Sequence, residues 1–345
     1  MATPLRLLID TDPGVDDALA LAWLLGQTRY PLEIVGIGVT AGNTAVTQAA
    51  RNALTLLHTA GRPDIPVAIG AASPLQYPLG QSNLLVHGPD GLWGASQPYA
   101  LDDCATDAAT FYCDLIDANP GITLLTLGPL TTIATAVQRY PEAMQKLGRL
   151  IVLGGAKTRG SMTPVSEYNF WQDPQAAEIV LAAGLPLTLV IRDAFTAFSL
   201  SLADLGAALQ RETAVNTLLR EPVERYASLY TAVGGQPAAV IPDLAAAILA
   251  VRPDLAETKP GLVKVILHDG LARGQTIIGL DFTEQASMIA SDEELGQMAH
   301  RALQDPAFDF ALQLQALLAR EPANANVVTA VHADEMRRLF LETMP

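Results

Sequence analysis

The feature that most constrains this chain is an apolar run that ends abruptly in acids: Leu7-Leu8-Ile9-Asp10-Thr11-Asp12-Pro13-Gly14-Val15-Asp16-Asp17-Ala18. Leu5 to Ile9 reads as a buried parallel strand, Pro13-Gly14 as a turn, and Ala18 to Leu25 as the helix that follows. Four carboxylates therefore stand within eight residues at the carboxyl end of a strand, where open α/β sheets place their ligands. Carboxylates so close repel one another when partly buried. A hard divalent cation with oxygen ligands is the simplest remedy. Helix capping accounts for one or two of these aspartates, but not for Asp10 and Asp12 on the strand side of the turn.

Further along, strand-like segments alternate with helical ones. Leu32 to Val39 reads as a second strand leading to Thr40-Ala41-Gly42-Asn43, followed by a helix from Thr44 to about Ala60. Pro66 to Gly70, Ile122 to Leu127, Leu150 to Leu153 and Leu187 to Ile191 read as further strands, with helices over about Ala105 to Ala118, after Gly128-Pro129, and from Leu200 to about Leu219. The loop from Ala71 to Ala100 is long and rich in Gly, Pro and Ser, which favours a functional use. Asp173 before Pro174 reads as an N-cap with proline at the first helical position. The segment from Arg220 to Gln236 carries Tyr226 and Tyr230 at helical spacing. Asp243 stands at the start of an apolar helix, where local sequence fits a cap and a site residue equally well. Val263 to His268 and Gln275 to Leu280 read as an antiparallel pair, and the remainder, ending in Ala330 to Met344, as mostly helical. The expectation is one α/β domain over residues 1–345: a mainly parallel central sheet with helices on both faces, Rossmann-like in its open topology, with a small late antiparallel addition.

Bulk properties narrow the partners. The chain has 345 residues, half of them hydrophobic, a mean hydropathy of +0.26 and a formal charge of −15. That size and apolar content supply an ample core, and the charge argues against nucleic acid or an anionic membrane as partner. Cys104 and Cys113, the only cysteines, give no disulfide framework and fit a reducing cytoplasm. Met1-Ala2-Thr3-Pro4 opens no targeting segment, and no apolar run is long enough to span a bilayer.

The stretch from Asp10 to Ala18 resembles the N-terminal signature of the inosine-uridine preferring nucleoside hydrolases. Ala41-Gly42-Asn43, His87-Gly88-Pro89-Asp90-Gly91-Leu92, Gly128-Pro129-Leu130-Thr131, Gly154-Gly155, Glu167-Tyr168-Asn169 and Asp173-Pro174-Gln175-Ala176-Ala177 resemble further motifs of that family, in its order, and Arg273-Gly274-Gln275-Thr276 resembles its late hairpin. The similarity spans roughly Leu5 to Leu280. It implies an enzyme that binds one Ca2+ at the base of a ribose pocket and cleaves ribonucleosides with water to free base and ribose. On that resemblance Asp12, Asp17, Asp243 and the Leu127 carbonyl would be metal ligands, and Asp12 would also take a proton from the attacking water. Asp16 and Asn43 would hold ribose hydroxyls, Glu167 and Asn169 the rest of the sugar, with Leu153 where the family usually has methionine. The family forms dimers and tetramers, so a homodimer or homotetramer is implied.

Two positions depart from the family pattern. Pro242 stands where many members carry a histidine that protonates the leaving base, and Ser161 where an asparagine often contacts the 5′-hydroxyl. His87 is a candidate replacement acid, since histidine titrates near neutral pH, though a loop histidine that only shapes the pocket reads equally well. Tyr226 and Tyr230 suit stacking on a base, with core packing as the ordinary use of at least one of them. His58, His268, His300 and His332 read as structural, and neither cysteine has the surroundings of a nucleophile. Two other functions fit parts of the sequence. A ribose- or nucleoside-binding protein without turnover would explain Pro242. An aspartate-based phosphohydrolase would use Asp10-Thr11-Asp12, but neither Lys146 nor Lys157 has the context that chemistry requires.

Overall fold

The structure, a computed structural model, describes residues 4–80, 83–234 and 238–345. Residues 1–3, with most of the N-terminal segment noted above, and residues 81–82 of the long loop lie outside them. Eleven strands are present among the described residues: β1 (Leu5–Thr11), β2 (Leu32–Val39), β3 (Val67–Ile69), β4 (Thr123–Thr126), β5 (Arg149–Leu153), β6 (Leu187–Val190), β7 (Ser199–Ser201), β8 (Ala238–Val240), β9 (Ala256–Val265), β10 (Thr276–Gly279) and β11 (Ala325–Val331). Nine of them form one sheet in the order β10-β9-β11-β6-β5-β4-β1-β2-β3, and β7 pairs with β8 separately.

The run from β3 through β2, β1, β4 and β5 to β6 is parallel throughout, and its order is that of a doubly wound nucleotide-type sheet. The strand order reverses between β1 and β4, so a crevice opens outside the carboxyl ends of these two strands. There the aspartate-rich turn after β1 meets Leu127 and Gly128 after β4; the Leu127 amide donates to the Asp10 carbonyl at 2.8 Å. Leu7 to Thr11 and all of β4 are continuously buried, without alternation, as strands covered on both faces must be.

Two helices complete the crevice. Val15–Leu25 is buried at every position from Val15 to Leu24, and Pro242–Val251 at every position from Asp243 to Ala250. Helices apolar all round belong in the middle of a core, and these two pack against each other. Each fully buried leucine contributes roughly 1.5–3 kcal/mol, so the contact is strongly favoured. Their first turns carry Asp16, Asp17 and Asp243. Burial of the helix bodies thus brings distant acids together.

The antiparallel addition is present, β10 pairing with β9 at the sheet edge, but two details differ from the sequence reading. The helix expected from Leu200 to about Leu219 is a strand and two helices, Leu202–Ala208 and Ala214–Gly234. Ser201 and Asp204 form a reciprocal capping box at the start of the first helix, and the Thr213 hydroxyl accepts from the Asn216 amide at 3.1 Å at the start of the second. Two start signals lie inside one apolar-periodic stretch. The segment from Arg220 is helical to Gly234, and Gln236 lies outside the described residues. Ala325–Val331, read as part of a helical tail, is β11, parallel to β6 and antiparallel to β9. Its β-branched Val327 and Val328 are fully buried there, which suits a strand.

Candidate active site

Asp12 follows β1 and is buried. Its Oδ2 accepts the Asn43 amide at 2.7 Å. Two glycines make room for the carboxylate. A Cβ on Gly42 would lie 1.9 Å from Asp12 Oδ2, and one on Gly128 would lie 2.6 Å from Oδ1. Asn43 continues the network: its Nδ2 donates to Asp17 Oδ2 at 3.0 Å, and its Oδ1 accepts from Asn83 Nδ2. Asp17 also accepts from the Thr11 hydroxyl and from the Gly14 amide at 3.0 Å, so the capping role expected of one aspartate belongs to Asp17.

Asp16, Asp17 and Asp243 each offer a carboxylate oxygen within 4.8 Å of the others, and all three are buried. Asp243 is therefore not a cap; the Pro242–Val251 helix has Ile241 at its N-cap and no side-chain bond there. The ionised forms of this group are strained. Burial, then the neighbouring charges of Asp17 and Asp16, pushes Asp243 well above the usual carboxylate range, and a hydrogen bond to Asp16 adds to the shift. Burial and then Asp17 raise Asp12 in the same way. Burial and the Asp16 charge also raise Asp17, against hydrogen bonds from Thr11 and Gly14. Asp10 sits just behind. Burial lifts it to about 7, against the Tyr112 hydroxyl, which donates to its Oδ2.

This donor set suits a hard cation. Several buried carboxylates converge at the cavity floor, which Leu127 also lines, and a divalent ion would remove their mutual repulsion. The tight trio is Asp16, Asp17 and Asp243, with Asp12 beside it in the cavity wall rather than within it.

A cavity of about 210 Å³ opens onto this floor, lined among others by Asp12, Asp16, Asn43, Leu127, Leu153 and Asp243. One wall carries Glu167 and Asn169. Glu167 caps the short helix Tyr168–Gln172, accepting from the amides of Asn169, Phe170 and Gly155, and burial lifts it to about 7 against these bonds. Asn169 Nδ2 donates to the carbonyls of Leu127 at 2.7 Å and Leu153 at 3.0 Å, fastening the ends of β4 and β5 together. His87, Tyr226 and Tyr230 line the cavity as well. The Tyr226 hydroxyl reaches Asp16 Oδ2 at 3.2 Å and the Val240 carbonyl at 3.0 Å. It is fully buried, yet it also lines the cavity. Its ring lies 4.8 Å from that of Tyr230. His87 Nδ1 accepts the Val15 amide at 3.1 Å and lies 3.7 Å from Asp16. The bond fixes its tautomer: Nδ1 is the acceptor and Nε2 carries the hydrogen.

All the residues singled out from the sequence line this cavity except Asp17, which lies directly beneath it. Asn83, Tyr168 and Arg192 line it too and were not foreseen. Tyr168 Oη is buried without a partner among the described residues, as a group facing a ligand would be. Arg192 stands two residues after the end of β6, so the strand-end rule that singled out Asp12 and Asn43 reaches it as well. Cys104 and Cys113 are buried and unpaired, and burial pushes the Cys113 thiol up to about 12, which removes it as a nucleophile.

Comparison with known proteins agrees with this geometry. The family model of the inosine-uridine preferring nucleoside hydrolases matches residues 7–338. Uridine nucleosidase 1 of Arabidopsis thaliana is 34% identical over 276 residues, covering 79% of this chain and 81% of its own. The non-specific ribonucleoside hydrolase RihC of Salmonella paratyphi B is 34% identical over 283 residues, covering 81% and 90%. Among solved structures, the plant nucleoside hydrolase PpNRh1 superposes with a TM-score of 0.83 at 27% identity, over 99% of both chains. By fold, cavity and sequence alike, the chain belongs to the inosine-uridine preferring nucleoside hydrolases and is a hydrolase of the N-glycosidic bond of ribonucleosides.

Proposed function

We propose that this chain is a calcium-dependent ribonucleoside hydrolase whose catalytic centre is the acidic floor of the cavity. The convergence of Asp12, Asp16, Asp17 and Asp243 from one strand end and two helix starts, at the floor of a cavity, is the observation that carries the reading. Asp12, Asp17, Asp243 and the Leu127 carbonyl would hold the ion. When bound, calcium supplies a positive charge that makes water more acidic and orients oxygen ligands.

The chain's own residues do the rest. Breaking the glycosidic bond builds positive charge on the ribose ring, and a floor of carboxylates stabilises that charge where it develops. Asp12 takes a proton from the attacking water, a general-base role open to a carboxylate in the cavity wall. Asp16 and Asn43 accept and donate to the ribose hydroxyls, and Glu167 and Asn169 hold the rest of the sugar. Leu153 supports the ring from below. Tyr226 and Tyr230 form the aromatic wall for the base, and His87 offers it the Nε2 hydrogen. The phenols themselves are poor acids here: burial, then the Asp16 charge, raises Tyr226 well above its ordinary value.

The relatives named a uridine nucleosidase and a non-specific ribonucleoside hydrolase support trying both pyrimidine and purine ribosides. The reading further assigns the chain to nucleoside salvage in the cytoplasm, as one catalytic domain in a homodimer or homotetramer. Among the described residues no helix is long and apolar enough to cross a membrane. The test is base release from inosine and uridine beside their 2′-deoxy counterparts, for wild type and Asp12→Asn. A site built around paired ribose hydroxyls loses on the order of 10²-fold or more on the deoxynucleosides, because buried partners are left unpaired. Asp12→Asn should lose about 10²- to 10⁴-fold in kcat. Equal rates on ribo- and deoxynucleosides would overturn the ribose assignment.

A further inference from the structure

The leaving-group side of the cavity lacks a proton donor of the usual kind. Pro242 occupies the family's histidine position, Tyr226 and Tyr230 are buried phenols, and His87 Nδ1 is committed to the Val15 amide. A histidine in that arrangement donates a hydrogen bond through Nε2. Full proton transfer from Nε2 would require a hydrogen on Nδ1 as well, and that hydrogen would face the Val15 N–H.

One side chain of different chemistry stands on the same side. Arg192 lines the cavity together with Tyr230, Val240 and Pro242, and it is the only Arg or Lys among the described lining residues. It opens the short helix Arg192–Phe195, which packs against the helix that begins at Pro242. Its guanidinium has no carboxylate within ion-pair distance among the described residues. Its recorded contact is Nη1 to the Arg159 carbonyl at 3.5 Å, a weak one. The neighbouring Asp193 is engaged elsewhere, accepting the amides of Lys157 at 2.7 Å and Thr158 at 3.0 Å. The charge of Arg192 reaches the base wall: Tyr230 is raised mainly by burial, and Arg192 acts against that shift. A guanidinium with unspent donors, in the wall of an otherwise acidic cavity, is placed to meet an anion.

We propose that Arg192 stabilises the negative charge that appears on the base as the glycosidic bond breaks. The proposal rests on the hydrolase reading above. In the step, the C–N bond breaks with its electron pair going to the base nitrogen, and the water oxygen bonds to the anomeric carbon while its proton passes to Asp12. The base leaves as an anion hydrogen-bonded to Arg192 and takes up a proton from solvent water; Asp12 returns its proton to solvent and neutralises the hydroxide so formed, leaving free base, ribose and the starting enzyme. Arginine does not readily give up a proton; it serves here as a fixed charge, an electrostatic substitute for the acid that Pro242 cannot supply.

Charge that exists only in the transition state affects kcat rather than KM. The test compares wild type, Arg192→Ala and Arg192→Lys on inosine, uridine and p-nitrophenyl riboside, whose leaving group is already a stable anion. The expected result for Arg192→Ala is a kcat on the nucleosides lower by on the order of 10²-fold, with KM changed less than about threefold and p-nitrophenyl riboside much less affected. Arg192→Lys should recover part of the loss. Unchanged nucleoside turnover in Arg192→Ala overturns the proposal. So does an equal loss on all three substrates, which would mark a structural or ribose-side role, and so does a change confined to KM. Wild-type turnover of p-nitrophenyl riboside tests the underlying reading separately: silence there overturns both, whereas wild-type turnover of it together with unchanged nucleoside turnover in Arg192→Ala overturns only the role of Arg192.

Discussion

At the scale of single residues, the site depends on side chains that are absent as much as on those present. Asp12 fits its place because Gly42 and Gly128 leave room on either side of its carboxylate. Gly42→Ala should therefore lower kcat by on the order of 10²-fold or more, since a displacement near 1 Å in a catalytic group has that effect. Steady-state kinetics beside a calcium titration would check it; wild-type kinetics in the variant would contradict the cradle. Residue positions were legible in the sequence where a rule of position applied. Asp12 and Asn43 stand at strand ends, and Asp173 precedes a proline and caps its helix, as expected, its Oδ1 accepting the Ala176 amide at 3.0 Å. Asp243 was not legible from local sequence, because a first-turn aspartate looks the same whether it caps a helix or faces a neighbouring acid across a core. Arg192 was missed for a related reason. A lone arginine after a strand carries no pattern, and only the fold shows that no carboxylate among the described residues answers it.

At the scale of elements, the acids converge because two helices with buried apolar bodies pack against each other and present their acidic first turns to the same crevice. The carboxyl end of β1 is held from behind by the helix Ala108–Ala118, whose Tyr112 donates to the buried Asp10. Gly38 on β2 makes that approach possible: a Cβ there would meet the tyrosine hydroxyl at 1.8 Å. Tyr112→Phe should cost about 1–3 kcal/mol, the usual penalty for leaving a buried polar partner unsatisfied, seen as a lower midpoint in thermal or urea unfolding. An unchanged midpoint would show that Asp10 does not depend on this bond. The parallel strands were read correctly because burial on both faces leaves a continuous apolar run. The misread elements are those whose identity is decided by partners. Leu200 pairs with Ala239 in β7 and β8, and β11 fills a slot between β6 and β9 that only the assembled sheet creates.

At the scale of the whole molecule, the buried acids link stability to pH and to the cation. Burial raises Asp10 from 3.8, and Glu167 from 4.5, to about 7 in the folded chain, and Asp12, Asp17 and Asp243 are raised as well. A carboxyl whose folded value exceeds its unfolded one favours the fold fully below its unfolded value, near pH 4. That contribution is lost as pH rises through the folded value, near 7. Without the ion, the thermal midpoint should thus fall between about pH 5 and pH 8. With calcium, bound by the ionised carboxylates, the fall should be smaller or reversed. A chelated protein that gains stability over this interval would contradict the shifts.

The central claim is that the converging carboxylates form a calcium-dependent centre for ribonucleoside hydrolysis. Base release from inosine and uridine, measured after exhaustive chelation and again after calcium is restored, tests it most directly. The account predicts loss of turnover with the chelator, recovery with calcium, and no recovery in Asp243→Ala at the same calcium concentration. Full turnover in the chelated enzyme, or an Asp243→Ala variant as active as wild type, would contradict it.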